Sequence, residues 1–341
     1  MENTMNKLII GIDVSKNDLD VAFWQNDKSF FLGKYPNNQN GFQTIYQDVE
    51  AKKQKINADT VLVVMEPTGG YEQHFAYFAF NKGWEVSLPN PANVRSWYKG
   101  IGKRAKTDKQ DAMMLAHFGF VQQPFLWKPL PDDVAELESI LDRLDDLNEI
   151  LRSEQNRLES QENRQVCHNV SQKSLQDNIS YLQKQIEILE EAIKNYFDTH
   201  PHLKEQLKNL KTVPGVGNKL SPYLVVALNR FSVLTEGNGT SKAITAYYGL
   251  DPQPKESGIS VYKRPSISRQ GDRHIRHLLY MGALGGIRGN NPLRAFYQRL
   301  VGKDKKAKVA IVASARKIIV WCWAIFRQNS SFDSSRFEYV S

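Results

Sequence analysis

The sequence predicts an α/β domain with a mixed sheet over residues 1 to 130, a helical coiled-coil arm over 131 to 202, and a mostly α C-terminal domain over 203 to 341. Three observations lead there. Residues 7 to 120 alternate strand-length apolar runs with runs of helical period. Residues 133 to 199 repeat apolar side chains in steps of three and four. Beyond residue 203 the apolar spacing stays helical, interrupted by one stretch rich in Pro, Gly, Ser and basic residues.

In chain order, KLIIGIDVS, LDVAFWQ and SFFLGKY read as three strands joined by polar turns at KND and NDK. NGFQTIYQDVEAKK has helical spacing, DTVLVVMEP is a buried strand, YEQHFAYFAFNKG is a helix stopped by Gly83, WEVSLPN is a strand, and KTDKQDAMMLAHFGF closes the series as a helix. A hairpin meander followed by alternating helix and strand gives a mixed sheet layered with helices.

Leu137, Ile140, Leu141, Leu144, Leu147 and Leu151 mark one heptad-spaced helix, and Leu175, Ile179, Leu182, Ile186, Leu189, Ile193 and Tyr196 mark a second. Separated by SEQNRLESQENRQVCHNVSQKS, the two have the pattern to fold back as a hairpin, to pair with another chain, or to join an ordinary bundle. LKTVPGVGNKLSPYLVVAL reads as a helix end, a turn at Gly215 and Gly217, and a new helix. The turn has the look of a helix-hairpin-helix, whose backbone amides reach phosphates, and equally of a plain helix connection. KAITAYYGL is a short helix, DPQPKESGISVYKRPSISRQGDRHIRH a long basic loop, and HIRHLLYMGALGG, NPLRAFYQRLVG and KVAIVASARKIIVWCWAIFRQ three closing helices.

At 341 residues and 41% hydrophobic content the chain can bury the cores of two or three domains. Cys167 and Cys322 fit neither a disulfide framework nor a CxxC metal spacing. MENTMNK lacks the apolar core of a signal peptide, and IIVWCWAIF is too short to span a bilayer, so a cytoplasmic chain without a membrane partner is expected. The net charge of +8 is unevenly placed: residues 255 to 317 hold 15 Lys or Arg against Glu256, Asp272 and Asp304. That segment carries +12 and the remainder −4, a concentration that points to nucleic acid through counterion release.

Asp13 interrupts the apolar run LIIGIDVSKNDLDVAFW, where a buried carboxylate requires a partner unless the strand is an edge strand facing water. Glu66 ends the strand DTVLVVMEP, and Asp108 and Asp111 lie three apart on one helix face. Converging at one end of a sheet, four carboxylates need neutralising cations, and oxygen ligands favour Mg2+ or Mn2+ in the phosphodiester chemistry of nucleases and strand transferases. Singly each has a plainer role: Asp108 as a helix cap, Asp111 as a first-turn acid, Glu66 as a solvated strand end.

Ser257 stands beside Gly258 in a setting with Lys263, Arg264, Arg269, Arg273 and Arg276, which supply charge for phosphate binding. Ser260, Ser266 and Ser268 share it, and the residues alone rank Ser257 little above them. His274 and His277 lack partners at metal-ligand spacing and are expected to pack or to touch phosphate.

The segments GIDVSK, MEPTGGY, NPANVRSW, KTDKQDAMMLA, VPGVGNKLS, YYGLDPQPKESG and SRQGDRHIRHLLYMGAL occur in this order from about residue 8 to about residue 328. Together they resemble the insertion-sequence transposases of the one-ten family. These are DEDD recombinases with a RuvC-like, RNase H-type N-terminal domain and a serine-bearing C-terminal transposase domain. The resemblance implies Asp13, Glu66, Asp108 and Asp111 as metal-holding catalytic acids and Ser257 as the nucleophile of a phosphoserine intermediate. It further implies donor and target DNA as substrates, a non-coding bridge RNA as guide, and a homo-oligomer, dimer or tetramer, in which the acids of one protomer meet Ser257 of another. Two other functions fit the residues: a metal-dependent structure-specific nuclease similar to a Holliday-junction resolvase, with Ser257 inert, and a non-catalytic nucleic-acid binder.

Overall fold

A computed structural model describes residues 6–102, 107–164, 168–257 and 261–337, with the side chains of 254–265 and 336–337 outside that description. Cys167, Gly258 and Ser260 therefore lie outside the described residues, as do the side chains of Ser257, Lys263 and Arg264. The chain divides into two compact units, Met1–Pro129 and Leu130–Ser341.

The first unit begins with β1 (Lys7–Val14), β2 (Asp18–Gln25) and β3 (Lys28–Pro36), followed by α1 (Gln39–Lys55), β4 (Thr60–Met65), α2 (Gln73–Asn81), β5 (Glu85–Ser87), α3 (Pro91–Gly100) and α4 (Asp108–Gln122). The sheet order is β3-β2-β1-β4-β5, with the meander antiparallel and β1, β4 and β5 parallel, so the sheet is mixed as expected. Asn26 and Asp27 both adopt positive φ between β2 and β3, as a tight two-residue hairpin turn requires.

Alternation along β1 sorts its two faces. Leu8, Ile10 and Ile12 pack with Phe42, Ile45 and Val49 of α1 and with Phe75, Ala76 and Ala79 of α2. Ile9, with Leu62 and Val64 of β4, meets Val94 of α3 and Met114, Leu115 and Phe118 of α4.

Helix α3 was not foreseen from periodicity. Asn90 caps it by accepting from the Ala92 N–H at 2.8 Å, and Pro91 stands in its first turn.

The second unit comprises α5 (Asp132–Glu162), α6 (Asn169–Thr199), α7 (Pro201–Lys211), α8 (Ser221–Leu234), α9 (Ser241–Tyr247), β6 (Pro252–Ser257), β7 (Val261–Ile267), α10 (Arg273–Gly286), α11 (Pro292–Val301) and α12 (Ala307–Gln328). It is mostly helical, and one core runs through it. Leu137, Leu141, Leu144 and Leu147 of α5 join Leu182, Ile186, Ile193 and Phe197 of α6 in that core, and α5 continues to Glu162 through residues read above as a connector.

The long basic loop also differs from expectation. Part of it is a two-stranded antiparallel ribbon, with Pro252 opposite Ile267 and Ser257 opposite Val261. A two-stranded ribbon has two free edges, and prolines are tolerated on free edges.

By length and composition α12 would cross a bilayer, longer than its apolar centre suggested. Here Ile318, Ile319, Cys322 and Trp323 are buried in the core, and Trp323 Nε1 donates to the Gly239 carbonyl at 2.7 Å.

Candidate active site

The two strand acids share one end of the sheet. Ile12 pairs with Met65 in parallel register, so Asp13 and Glu66 follow at the carboxyl ends of adjacent strands, where open α/β sheets commonly bind ligands. Glu72 fixes the loop after Glu66: its Oε2 accepts from the Thr68 N–H at 2.9 Å and the Gly70 N–H at 3.1 Å. Asn37 joins that loop to the one after Asp13, donating from Nδ2 to the Ser15 carbonyl at 2.9 Å and the Tyr71 carbonyl at 3.2 Å.

Helix α4 brings the other two acids. Gly11 lies two residues before Asp13 on the same strand face, and a Cβ there would sit 2.1 Å from the Ala112 carbonyl oxygen and 2.2 Å from the Ala116 nitrogen. Only glycine lets the helix backbone approach β1 so closely. Gly119 does the same further along the helix, where a Cβ would lie 2.7 Å from Val64 Cγ2. Thr107 caps the helix, its Oγ1 accepting from the Gln110 N–H at 3.3 Å, which leaves Asp108 and Asp111 in the first turn rather than at the cap. Ser29 of β3 holds the same helix, donating to the Met113 carbonyl at 2.7 Å.

The electrostatics record this convergence. Burial raises Asp13 first, then the charges of Asp111, Asp108, Asp20 and Glu66, to about 6. Burial also raises Asp111, with Asp108 adding to it. Glu66 is raised by burial and by Asp111, against the lowering charge of Arg95.

Asp20 is an acid the sequence reading missed. It is the cross-strand partner of Asp13, buried, with Lys34 Nζ at 3.5 Å. The short turn between Val14 and Leu19 fixes that register and is the signal that would have revealed it.

Among the described residues no three His, Cys, Asp or Glu side chains stand close enough together to hold a metal ion. The carboxylates are near enough to repel one another through Asp13 and not drawn together to ligating distance. An all-oxygen donor set under mutual repulsion nevertheless matches a hard divalent cation.

The serine region belongs to the second unit. The backbone of Ser257 ends β6. Below the ribbon, the Ser268 N–H donates to the Asp251 carbonyl at 3.1 Å, the Arg269 N–H donates to the Gly249 carbonyl at 3.2 Å, and the Ser268 hydroxyl bonds Asp251. Arg276 Nη1 donates to the carbonyls of Gln270 at 2.7 Å, Gly271 at 3.0 Å and Tyr248 at 3.3 Å, so part of that guanidinium holds the loop in place. Arg269 and Arg273 are exposed.

Gly215 packs against α10, where a Cβ would meet the Gly282 carbonyl oxygen at 2.7 Å, whereas Gly217 faces open space. The His274 ring packs tilted against the Tyr223 ring, 4.9 Å between centroids, with Nε2 3.3 Å from Asp145, a packing role. His277 is exposed.

Two family models match the chain: a transposase model of the DEDD type over residues 10–161, and the transposase IS116/IS110/IS902 family over residues 207–298. The pilin gene-inverting protein of Moraxella bovis is 33% identical over 340 residues, covering 96% of this chain and 98% of its own. Its counterpart in Moraxella lacunata is 32% identical with the same coverage. Among solved structures, Thermus thermophilus RuvC with a Holliday junction substrate is 14% identical, covers 33% of this chain and 90% of its own, and gives a TM-score of 0.23. With one third identity along nearly the full length of both chains and the two family models matched in order, the chain belongs to the IS116/IS110/IS902 family of transposases.

Proposed function

We propose that this transposase cuts and rejoins DNA at the ends of its own element and at a target, with Asp13, Glu66, Asp108 and Asp111 as a Mg2+ or Mn2+ site in a RuvC-like domain and Ser257 as the nucleophile. The observation that carries the reading is the convergence at the carboxyl end of β1: two strand-end acids, with Gly11 admitting the α4 backbone that bears the other two. When bound, the divalent cation supplies Lewis-acid stabilisation of charge on phosphate and on the attacking or leaving oxygen. The acids hold it, and Glu72 and Asn37 keep the two acid-bearing loops in register. The Ser257 hydroxyl gives up its proton and forms the bond to phosphorus as the deoxyribose 3′ oxygen leaves, producing a phosphoserine link and a free 3′ hydroxyl.

The DNA and a bridge RNA meet the +12 segment, with Lys263, Arg264, Arg269 and Arg273 as phosphate contacts and Arg276 shared between phosphate and its loop carbonyls. The turn at Gly215 and Gly217 adds helix-hairpin-helix contacts from the open Gly217 side. The α5–α6 hairpin of the second unit acts as a coiled-coil arm and as the surface of a dimer or tetramer. Tyr181 and Ile188, seven residues apart on α6 and 60% and 52% exposed, support an unpartnered seam along it.

The test is metal-dependent cleavage of element-end DNA by the purified protein. Alanine at Asp13, Glu66, Asp108 or Asp111 should abolish cleavage with folding retained, and Ser257→Ala should abolish a denaturation-resistant protein–DNA adduct while Ser260→Ala keeps it. Undiminished cleavage by Asp111→Ala would overturn the acid assignment. Full cleavage by Ser257→Ala without any adduct in the wild type would favour a resolvase-like nuclease instead.

A further inference from the structure

The segment NPANVRSW caps and opens α3, a helix packed against α4. Val94 of α3 is fully buried and Trp97 packs edge-on against Phe118 of α4 at 5.4 Å and against His117 at 5.0 Å. Those contacts fix the rotation of α3 about its axis. Asn90 and Pro91 fix where it starts. One and four residues beyond Val94, Arg95 and Tyr98 occupy the same side of the helix, three apart. Arg95 is exposed and Tyr98 half-buried.

Helix α3 follows β5, which runs parallel to β4 with Ser87 opposite Val64, so it starts from the same carboxyl end of the sheet as Glu66. The positive charge of Arg95 acts on the Glu66 carboxylate, and the negative charge of Asp111 acts on the Tyr98 hydroxyl, after burial as its main influence. At Glu66 the Arg95 charge opposes the raising effect of burial and of Asp111. A guanidinium at the lip of an all-acid site has a function for a polyanionic substrate. It offers a forked set of donors to a phosphate that four carboxylates would otherwise repel.

We propose that Arg95 and Tyr98 of α3 form a positioning clamp for the backbone phosphate of the DNA strand entering the acid site, Arg95 through a charged contact and Tyr98 through its hydroxyl. The proposal rests on the assignment of the acids as the strand-cutting site. Neither residue exchanges a proton with the reacting atoms; both set the strand's position relative to them.

The experiment measures binding of a labelled element-end DNA duplex to the full chain in Mg2+, in an Asp13→Asn background, across a series of salt concentrations. If the Asp13→Asn protein still cuts the DNA, the acid-site assignment fails irrespective of Arg95. If it does not cut, Arg95→Ala should weaken binding about tenfold and reduce the slope of log affinity against log salt by about one phosphate contact. Arg95→Lys should retain the slope. Tyr98→Phe should weaken binding roughly three- to tenfold with the slope unchanged, because a hydroxyl carries no charge.

Because Arg95 is exposed, its variants should melt with the parent, which separates the clamp from a folding role. A salt slope and affinity unchanged by Arg95→Ala would overturn the proposal and leave Arg95 as a counter-ion of Glu66. So would weakened binding at the parental slope.

Discussion

Gly11→Ala is a one-carbon change that should injure both the fold and the site. The new Cβ would lie 2.1 Å from the Ala112 carbonyl oxygen, 2.2 Å from the Ala116 nitrogen and 2.9 Å from the Leu115 carbonyl carbon. All three are α4 backbone atoms, so no side-chain rotation relieves the clash. Carbon meets carbonyl oxygen comfortably at roughly 3.3 to 3.6 Å, so α4 must retreat by about 1 Å or more. Overpacking of this kind costs about 1–3 kcal/mol, a fall of roughly 3–12 °C in melting temperature for a domain of this size. The same retreat carries Asp108 and Asp111 away from Asp13, and a displacement of about 1 Å at reacting groups lowers rate on the order of 100-fold. Thermal melting by circular dichroism and a metal-dependent DNA nicking assay measure the two effects. Gly100→Ala is the control, since a Cβ there meets nothing within 4 Å. Nicking at the wild-type rate in Gly11→Ala would refute the coupling between the β1–α4 approach and the acid site, whatever happens to the melt.

Asp13→Asn should stabilise the chelator-treated protein at pH 7.5. Asp13 titrates at about 6 folded against 3.8 in an unperturbed chain, so the folded state binds the extra proton and stability falls as pH rises through that window. Removing the charge should return about 1–2 kcal/mol after discounting for solvent screening, with the gain gone below about pH 4; a melting temperature unchanged at pH 7.5 contradicts this. Tyr223→Phe should lower stability by about 1–2 kcal/mol, because Tyr223 donates to Asp145 at 2.5 Å and ties α8 to α5; a change under a few tenths in denaturant unfolding would show the bond to be idle. Mixing Asp13→Ala and Ser257→Ala proteins, each inactive alone, should partly restore recombination if acids and serine come from different protomers. No recovery, with mixed oligomers verified by differential tagging, would place both on one chain.

The four candidate acids were legible where local pattern and chemistry agreed. An aspartate in an apolar run, a glutamate closing a second run and two aspartates one helical turn apart are visible before any folding, and Gly11 in a strand already signals a close backbone approach. Asp20 was not, because its role depends on register across the turn rather than on its own surroundings. Helix α3 escaped because it is ten residues long with one fully buried side chain, although Asn90 and Pro91 announced its start. The far part of α5 escaped for the opposite reason. SEQNRLESQE is polar on nearly every face, so periodicity is silent and the helix simply propagates from the packed turns before it. The β6–β7 ribbon was hidden by Pro252, Pro254 and Pro265, which argue against strands except where both edges are free.

The most direct test of the account is the chemical location of the bond between protein and DNA. Element-end DNA is incubated with the protein and divalent ion, denatured, digested with nuclease and trypsin, and the nucleotide-bearing peptide is sequenced by mass spectrometry. The account predicts a modified peptide running from Glu256 to Lys263, with fragment ions placing the nucleotide on Ser257 and none of it on Ser260. A nucleotide on Ser260 or any other residue, or metal-dependent cleavage with no linked peptide at all, would contradict it.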